Sequence, residues 1–510
     1  MKIQSCILSL LLLLLLIPAL SPGQSGLLVA ADSHGNTVEP AATEADGSHG
    51  DEHAAIGKEL PLWSCIPFAG ILLSIALFPI LAPGFWHHHF PKISFAWAFI
   101  LAVPFLIIFG GEAIYQLLHI MLADYIPFII LLWGLFTVSG GIYLKGNMVG
   151  KPITNLVFLI VGTLLASWMG TTGAAMLLIR PLIRANRRRY YKVHTVVFFI
   201  FLVANVGGSL TPLGDPPLFL GFLHGVPFFW TFHILPHMLI AVACLLIAYL
   251  LLDTVLHRRE QTRQQKPEEE EPESGGAKLQ IFGAHNFLLL LGIMGAVLMS
   301  GSWHAGEYSL FGVHMTVQST LRDFLIIIVG LISLWSTKKE YRSANGFTWF
   351  PIQEVAYLFA GIFVTIIPPL LILKAGTEGS AAFLINAVNK PFHYFWITGA
   401  LSSFLDNAPT YLTFFNLALG KLGIAPHIVT GVLNGAVEHV NSADFVTDLK
   451  AISAGAVFFG AMTYIGNAPN FMVRSIAEES QVRMPSFFGY MLWSLAILVP
   501  LFVLITVIFF

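Results

Sequence analysis

Two ten-residue segments have the composition of a membrane helix that is broken at its centre. Residues 208–217 read GSLTPLGDPP and residues 460–469 read GAMTYIGNAP. Gly and Pro interrupt a helix, and the interruption leaves backbone C=O and N–H groups unpaired. Such carbonyl groups can coordinate a cation, and such N–H groups can face an anion. The residues that recur at equal spacing are Gly208 and Gly460, Thr211 and Thr463, Gly214 and Gly466, and Pro217 and Pro469.

Polar side chains in both segments could bind an ion. Thr211 and Thr463 supply hydroxyl oxygens, and Asn467 supplies an amide at the position that Asp215 has in the first segment. A carboxylate within the membrane is costly and is therefore expected to be functional. Asp215 could exchange a proton for Na⁺. The alternative is that Asp215 only caps the helix that follows it.

Two further polar segments interrupt apolar stretches. Residues 167–173 read SWMGTTG and residues 402–410 read SSFLDNAPT, so that 167–169 and 403–405 share Ser, aromatic and aliphatic residues. Na⁺ is a hard cation and takes oxygen ligands. We expect a Na⁺ site at Asp406, Asn407, Thr463 and Asn467, although Asp406 could instead cap the helix after it. The other candidate ligands from these segments are Ser167, Thr171, Thr172, Ser403 and Thr410.

The composition places these motifs in a membrane protein. Of the 510 residues, 56% are hydrophobic and only 11% are charged, and the mean hydropathy is +0.77. Soluble domains carry roughly 25% charged residues. An ordinary soluble enzyme and a disordered chain are therefore excluded, and a net charge of −2 gives no basic surface for nucleic acid. At about 20 residues per crossing, the chain can hold about ten transmembrane helices.

Apolar runs and Lys/Arg clusters together predict the topology. If each predicted span crosses the membrane once, all the main Lys/Arg clusters lie on the cytoplasmic side of the membrane. Residues 152–183 are apolar but have cations at both ends, so a re-entrant hairpin is expected there, and another at 380–420. The predicted spans are 61–82, 93–110, 124–144, 194–224, 228–253, 283–303, 321–337, 352–374, 450–477 and 487–510.

The order of elements is the same in both halves: three spans, a hairpin, a broken span and a final span. Because five spans is an odd number, the second half is inverted relative to the first. The fold class expected is an all-α polytopic membrane protein with two inverted repeats, two re-entrant hairpins and broken helices at the midplane. The expected boundaries are a signal peptide at 1–31, a polar extracytoplasmic segment at 32–60, repeats at 61–253 and 283–510, and a cytoplasmic linker at 254–282. An uncleaved first helix is the alternative to the signal peptide.

The motifs 211–217, TPLGDPP, and 406–409, DNAP, resemble those of the ion transporter superfamily. This group includes NhaD-type sodium:proton antiporters, arsenite permeases and citrate or dicarboxylate transporters, and the chain is most similar to the bacterial citrate transporters and NhaD-type antiporters. The resemblance covers roughly residues 60–510. It implies two hairpins, two broken helices, a site between their tips and a homodimer. Dicarboxylate carriers have Ser-Asn-Thr at the tips, whereas this chain has Gly-Thr-Thr at 170–172 and Asp-Asn at 406–407.

An acid beside the site would repel a carboxylate substrate, which favours cation exchange. We therefore expect a secondary transporter of the bacterial inner membrane, not an enzyme, that exchanges Na⁺ for H⁺ without a cofactor. The alternative is Na⁺- or H⁺-coupled uptake of citrate or a dicarboxylate. An intramembrane aspartyl protease would also use two Asp residues, but it does not explain the duplicated motif with Asn467 in the second copy. An ion channel explains two hairpins less well than alternating access does.

Overall fold

A computed structural model of the chain describes residues 56–146, 148–263 and 280–510. The signal peptide expected at 1–31 and most of the polar segment expected at 32–60 lie outside the described residues. Within the described part, nine helices are long and apolar enough to cross a membrane, or up to eleven if each bent pair counts as one span. The expected all-α polytopic membrane fold is confirmed.

The described part of the first half contains eight α-helices, several of which begin at a proline. Proline favours the first helical turn because its missing N–H would have no partner there. Gly110 has non-helical backbone angles inside the helix Pro83–His119 and divides it, and a π-helical stretch at Ile120–Tyr125 joins this helix to the helix Ile126–Ser139. The helices are α1 Ile66–Leu81, α2 Pro83–His119, α3 Ile126–Ser139, α4 Pro152–Met169, α5 Thr171–Ala185, α6 Val193–Leu202, α7 Pro216–Leu223 and α8 Leu235–Arg263.

The second half repeats the order of hairpin, broken helix and final helix. The span expected at 352–374 is two helices, Phe350–Thr365 and Ile367–Lys374, bent by 42°, because Pro368 and Pro369 lie in the first turn of a new helix that begins at Ile367. The helices are α9 His285–Ser302, α10 Val317–Ser336, α11 Lys339–Ala344, α12 Phe350–Thr365, α13 Ile367–Lys374, α14 Ala382–Ala387, α15 Pro391–Leu405, α16 Asn407–Leu422, α17 Val429–Leu433, α18 Ser442–Phe459, α19 Ala468–Glu479 and α20 Phe487–Phe509.

Two short antiparallel strand pairs connect helices. Strand β1, Tyr143–Lys145, pairs with β2, Gln280–Phe282, and strand β3, Glu307–Leu310, pairs with β4, Val313–Thr316. Helix α8 continues to Arg263 and β2 begins at Gln280, so regular structure occupies both ends of the linker expected at 254–282. The pairing of β1 with β2 holds the start of the second half against the residues that follow α3.

The broken helices occupy the centre of the molecule. In the first broken span, 89% of the apolar window Val193–Leu210 is buried, and in the second, 83% of Ser442–Met462. In the other candidate spans the buried share is 17–44%. A helix that is apolar on all sides and enclosed by other helices belongs to the interior, whereas partly exposed apolar helices face lipid. The predicted breaks therefore lie where the protein itself surrounds them.

Candidate functional site

The two helical hairpins have tips of the same construction. Helices α4 and α5 are separated by Gly170 alone, and helices α15 and α16 by Asp406 alone. Gly170 has φ 79° and ψ 147°, and Asp406 has φ 70° and ψ 141°. The chain therefore reverses through one residue with positive φ in each copy, which L-residues other than glycine rarely adopt.

The two broken helices are also built alike. After α6 and a 3₁₀ turn, Thr211 is extended and Asp215 is the last residue before α7. After α18, Thr463 and Asn467 occupy the same positions before α19. Asp215 has φ −144° and ψ 141°, and Asn467 has φ −153° and ψ 138°. The internal repeat predicted from sequence is thus present in the backbone conformation.

Glycine is required at the breaks because two chain segments touch there. A Cβ atom on Gly214 would overlap the backbone carbonyl of Gly208, and one on Gly466 would lie 2.6 Å from the Gly460 oxygen. Pro217 and Pro469 lie in the first turns of α7 and α19, where a missing N–H has no cost. The six residues predicted to break the helices, including Gly208 and Gly460, therefore lie at the breaks.

Threonine hydroxyl groups fasten each hairpin tip to its broken helix. The Thr211 hydroxyl donates to the Ser167 carbonyl and accepts from the Leu213 N–H, and the Thr463 hydroxyl donates to the Ser403 carbonyl. In the other direction, the Ser167 hydroxyl donates to the Gly207 carbonyl at 2.5 Å. The matching bond in the second repeat runs from Ser403 to the Phe459 carbonyl at 3.2 Å. These four residues position the tips.

The Asp215 carboxylate is the centre at which all four elements meet. Asn407 Nδ2 donates to Oδ2 at 2.6 Å, Asn467 Nδ2 donates to Oδ1 at 3.0 Å, and Thr171 Oγ1 donates to Oδ1 at 3.2 Å. Asp215 is 1% exposed and Asn407 is fully buried. Thr171 and Asn407 are equivalent residues of the two tips, and Asp215 and Asn467 are equivalent residues of the two breaks. The cluster is therefore formed by equivalent positions of the two repeats.

The electrostatics of this cluster are unusual for a buried carboxylate. Its hydrogen-bond donors are neutral, and no cationic side chain of the described residues pairs with it. The N-termini of α5, α7, α16 and α19 converge here, and helix N-termini favour negative charge. Asn407 Oδ1 is buried without a hydrogen-bond partner. A buried carboxylate without a cationic partner is costly, and an additional cation or proton would neutralise it.

Asp406 lies next to the cluster, but its carboxylate has a different partner. It accepts a hydrogen bond from the Ala408 N–H at 3.2 Å and so caps α16. Asp215, in contrast, makes no cap hydrogen bond to α7. The alternative role of helix cap therefore applies to Asp406 and not to Asp215. Asp406 is partly buried, and its positive φ is a strained conformation for a residue with a side chain.

The four residues expected to form a Na⁺ site do not share one centre here. Asn407 and Asn467 meet at Asp215, Asp406 caps α16, and Thr463 binds the Ser403 carbonyl. Two other candidate ligands lie nearby without joining the cluster. Thr410 donates to the Asp406 carbonyl at 2.8 Å within α16, and Thr172 is half-buried in the first turn of α5.

Two buried asparagines beside the cluster were not predicted from the sequence. Asn205 Nδ2 donates to Asn470 Oδ1 at 2.7 Å, and Asn467 Nδ2 lies 3.3 Å from Asn205 Oδ1. Asn470 in turn donates to the carbonyl oxygens of Gly460 and Thr463, at 2.7 and 2.9 Å. The amides thereby connect the two breaks. Both asparagines adjoin the motifs, and their position in apolar stretches was the available signal.

A buried polar network at the base of the first hairpin was missed as well. Arg189 donates to Asp253 and to Glu260, each at 2.6 Å, and His194 Nε2 lies 2.9 Å from Asp253. Burial alone would lower the pKa of Arg189, but hydrogen bonds and charge from Asp253 and Glu260 raise it above its ordinary value. The network links the residues that follow α5 with helix α8. It therefore anchors the hairpin at the end opposite its tip.

A further buried ion pair of the described residues also lies outside the motifs of both repeats. Arg322 and Asp323, adjacent residues of α10, are bonded at 2.8 Å, and Arg322 is 1% exposed. The guanidinium lies 5.7 Å from the ring centre of Phe219 in α7. Its Nη2 atom has no hydrogen-bond partner. The pair therefore places a charged contact between α10 and the half-helix that begins after Asp215.

Comparison with known families agrees with this architecture. The family CitMHS_2, described as "Putative citrate transport", matches residues 57–510. The chain belongs to this family. Comparison with curated proteins gives no match. The match to CitMHS_2 confirms the resemblance drawn from the TPLGDPP and DNAP motifs, and it covers both hairpins and both breaks.

Membership of CitMHS_2 also sets the general class of the protein. A transport family and nine or more candidate spans together describe a multi-pass membrane protein of transport function. The family's description names citrate, which agrees with the alternative substrate from the sequence. In this CitMHS_2 member, the Asp215 cluster is a buried carboxylate that accepts hydrogen bonds from three neutral side chains.

Proposed function

We propose that the protein is a secondary active transporter that exchanges Na⁺ for H⁺ at the Asp215 cluster. The observation that carries the proposal is the Asp215 carboxylate, 1% exposed and hydrogen-bonded to three neutral side chains from three other elements. A buried charge needs a neutralising partner. Na⁺ and H⁺ are alternative partners for one carboxylate, so binding of one excludes the other, and this exclusion is the basis of exchange.

The surrounding residues have separate tasks in this proposal. The Asn407 and Asn467 amides and the Thr171 hydroxyl each have an oxygen that can turn toward Na⁺ when the amide or hydroxyl hydrogen no longer binds Asp215. The unpartnered Asn407 Oδ1 is already available. The second carboxyl group, Asp406, directly precedes Asn407 and so lies near Asp215. Together they offer the oxygen-rich surroundings that a hard cation requires.

Coupled uptake of citrate or a dicarboxylate is the second candidate function. Two observations favour it: the CitMHS_2 family is described by citrate transport, and four helix N-termini converge at the cluster. Helix N-termini favour anions. In this case Asp215 would hold the coupling Na⁺ or H⁺, and the carboxylate substrate would bind next to that cation.

Transport into everted vesicles separates the two functions. We expect Na⁺ to dissipate a preset ΔpH in vesicles with the wild-type protein, and we expect this response to be lost in Asp215→Asn and Asp406→Asn. Asp444→Asn removes an exposed carboxyl group from α18 and is the matched control. Uptake of labelled citrate without a Na⁺-dependent change in ΔpH would refute exchange and support the second function.

The cellular setting follows from the same proposal. Exchange of Na⁺ for H⁺ requires a membrane with an ion gradient, for which we propose the bacterial inner membrane. We also propose a homodimer, as the family resemblance implies. The expected Na⁺ and H⁺ coupling ions, with no further cofactor, belong to this proposal too.

A further inference from the structure

A second concentration of charge lies at the end of the first hairpin that is predicted to be cytoplasmic. Arg180 and Arg184 of α5, with Arg187 and Lys192 beyond it, line a cavity of about 300 Å³. Ala344 at the end of α11 and Ser480 after α19 also line it, and no carboxylate of the described residues does. The cavity therefore has four cations and belongs to neither the Asp215 cluster nor the Arg189 network.

The arginines are held in place by backbone carbonyl groups. Arg180 Nε donates to the Asn345 carbonyl at 3.1 Å, and an Arg184 Nη2 donates to the Leu144 carbonyl at 2.8 Å. The loop at Gly346 lies so close to Arg180 that a Cβ atom there would overlap the guanidinium. Each of these guanidinium groups has five N–H donors, so most of them stay available after these bonds.

Among the described residues, the four cations also lack partners of opposite charge. Across the part of the chain that the structure describes, none of the four forms an ion pair with a carboxylate. Arg180, Arg184 and Arg187 lie at spacings of four and three residues, which places them on one side of α5 and its C-terminal turn. Like charges at this spacing destabilise a helix. A ligand of negative charge would relieve that repulsion.

We propose that this cavity is a binding site for a multivalent oxyanion, a compound with several carboxylate groups or a phosphate group. Guanidinium groups bind carboxylate and phosphate with two parallel hydrogen bonds. The site is distinct from the Asp215 cluster: Thr171 and Arg184 are thirteen residues apart on α5, about 20 Å at the rise of an α-helix. It does not depend on the proposed function.

This oxyanion could come from either of two sources. A soluble polycarboxylate or inorganic phosphate could enter from the aqueous phase, and the headgroup of an anionic phospholipid could enter from the membrane surface, where Lys/Arg clusters attract such lipids. Both present the same chemistry to the arginines. The experiment therefore needs one arm for each source.

The test uses the purified full-length protein and calorimetric titration with trisodium citrate and with inorganic phosphate at constant ionic strength. Nanodiscs of pure phosphatidylcholine, or with added phosphatidylglycerol, supply the lipid arm, in which lipid retained by the protein is counted by native mass spectrometry. The variant Arg187→Gln/Lys192→Gln removes two cations of the lining. Its matched control, Arg258→Gln/Arg259→Gln, removes two exposed cations of α8 outside the cavity.

We expect saturable binding of citrate or phosphate, or selective retention of phosphatidylglycerol, and at least a tenfold loss of that binding in Arg187→Gln/Lys192→Gln, because a charged hydrogen bond contributes about a factor of ten or more. The control should bind as the wild type does. Ser480→Glu adds a negative charge at an exposed position of the lining and should cause a similar loss without affecting buried contacts. Absence of binding in both arms, or equal loss in the control, would overturn the proposal.

Discussion

Gly170 and Asp406 hold the same backbone conformation at equivalent tips of the two hairpins, with φ of 79° and 70° and ψ of 147° and 141°. Glycine adopts this conformation without cost, whereas a residue with a Cβ atom loses about 1–3 kcal/mol. The second hairpin therefore retains a strained carboxylic acid where the first has no side chain. Strain that persists in this way indicates a functional demand on Asp406.

The substitution Asp406→Gly tests that demand. It removes the backbone strain, and glycine is nearly as good a helix cap as aspartate. We therefore expect the free energy of unfolding in detergent to stay the same or rise by about 1 kcal/mol. We expect Na⁺-dependent dissipation of ΔpH to be lost. Asp406→Asn, which keeps the side-chain volume and the strain, should lose exchange without the gain in stability. If Asp406→Gly exchanged Na⁺ normally, the carboxyl group would have no part in transport.

Asn407 can be replaced by the residue that has its place in the first repeat. Asn407→Thr keeps a hydroxyl donor for Asp215 but removes the amide oxygen, Oδ1, that has no partner. We expect a weaker apparent affinity for Na⁺, and a larger loss in Asn407→Ala, where the bond to the Asp215 carboxylate disappears altogether. A hydrogen bond to a charged group contributes about 1.5–3 kcal/mol. The measurement is the Na⁺ concentration for half-maximal ΔpH dissipation.

Equal affinities in Asn407→Thr and wild type would contradict a direct role of the amide oxygen. Thr171→Asn, the reciprocal exchange in the first repeat, is the informative companion variant. It places an amide at the position whose hydroxyl group donates to Asp215 at 3.2 Å in the wild type. If the two tips contribute alike, Thr171→Asn should retain exchange.

The sequence predicted the parts of the site that depend on local chemistry. Gly214, Gly466 and the prolines that follow them specify the breaks, because only these residues allow the close approach and the new helix start. The choice of Asp215 rather than Asp406 as the centre could not be predicted. It depends on how two hairpins and two breaks, distant in the chain, pack against one another, and a single sequence has no measure of that distance.

The missed residues have the same explanation. Asn205 and Asn470 interrupt apolar stretches by one residue each and produce no periodic pattern. Their partner is an amide more than 250 positions away in the chain. Arg189 belongs to a run of cationic residues at 184–192 that in sequence resembles a solvated surface, but Asp253 and Glu260 form ion pairs with it. These residues could not be predicted because their polar partners are distant in the chain, and not because the secondary structure was unclear.

The threonine hydroxyl groups that join tips to breaks provide a symmetric test. Thr211→Val and Thr463→Val preserve shape but leave the buried carbonyl of Ser167 or Ser403 without its donor. We expect each to lower the stability by about 1–3 kcal/mol, the cost of an unsatisfied buried polar group. Thr211→Ser and Thr463→Ser keep the hydroxyl group, so we expect a smaller loss of stability in these variants. Thermal unfolding in detergent, followed by tryptophan fluorescence, measures the difference. Valine and serine variants of equal stability would show that the bonds contribute nothing.

The buried pair of Arg322 and Asp323 should be more sensitive to loss of one partner than to loss of both. Asp323→Leu or Arg322→Met alone leaves an uncompensated buried charge, which costs about 3–5 kcal/mol, whereas the double variant replaces the pair by apolar groups at much smaller cost. The exposed pair of Lys58 and Glu378 is the matched control. There the bond from Lys58 lowers the pKa of Glu378, but solvent screens the charges, and Lys58→Met, Glu378→Leu and their combination should unfold as the wild type does. A double-mutant cycle of unfolding in detergent measures both couplings. Additive effects at Arg322 and Asp323 would contradict a mutually dependent pair.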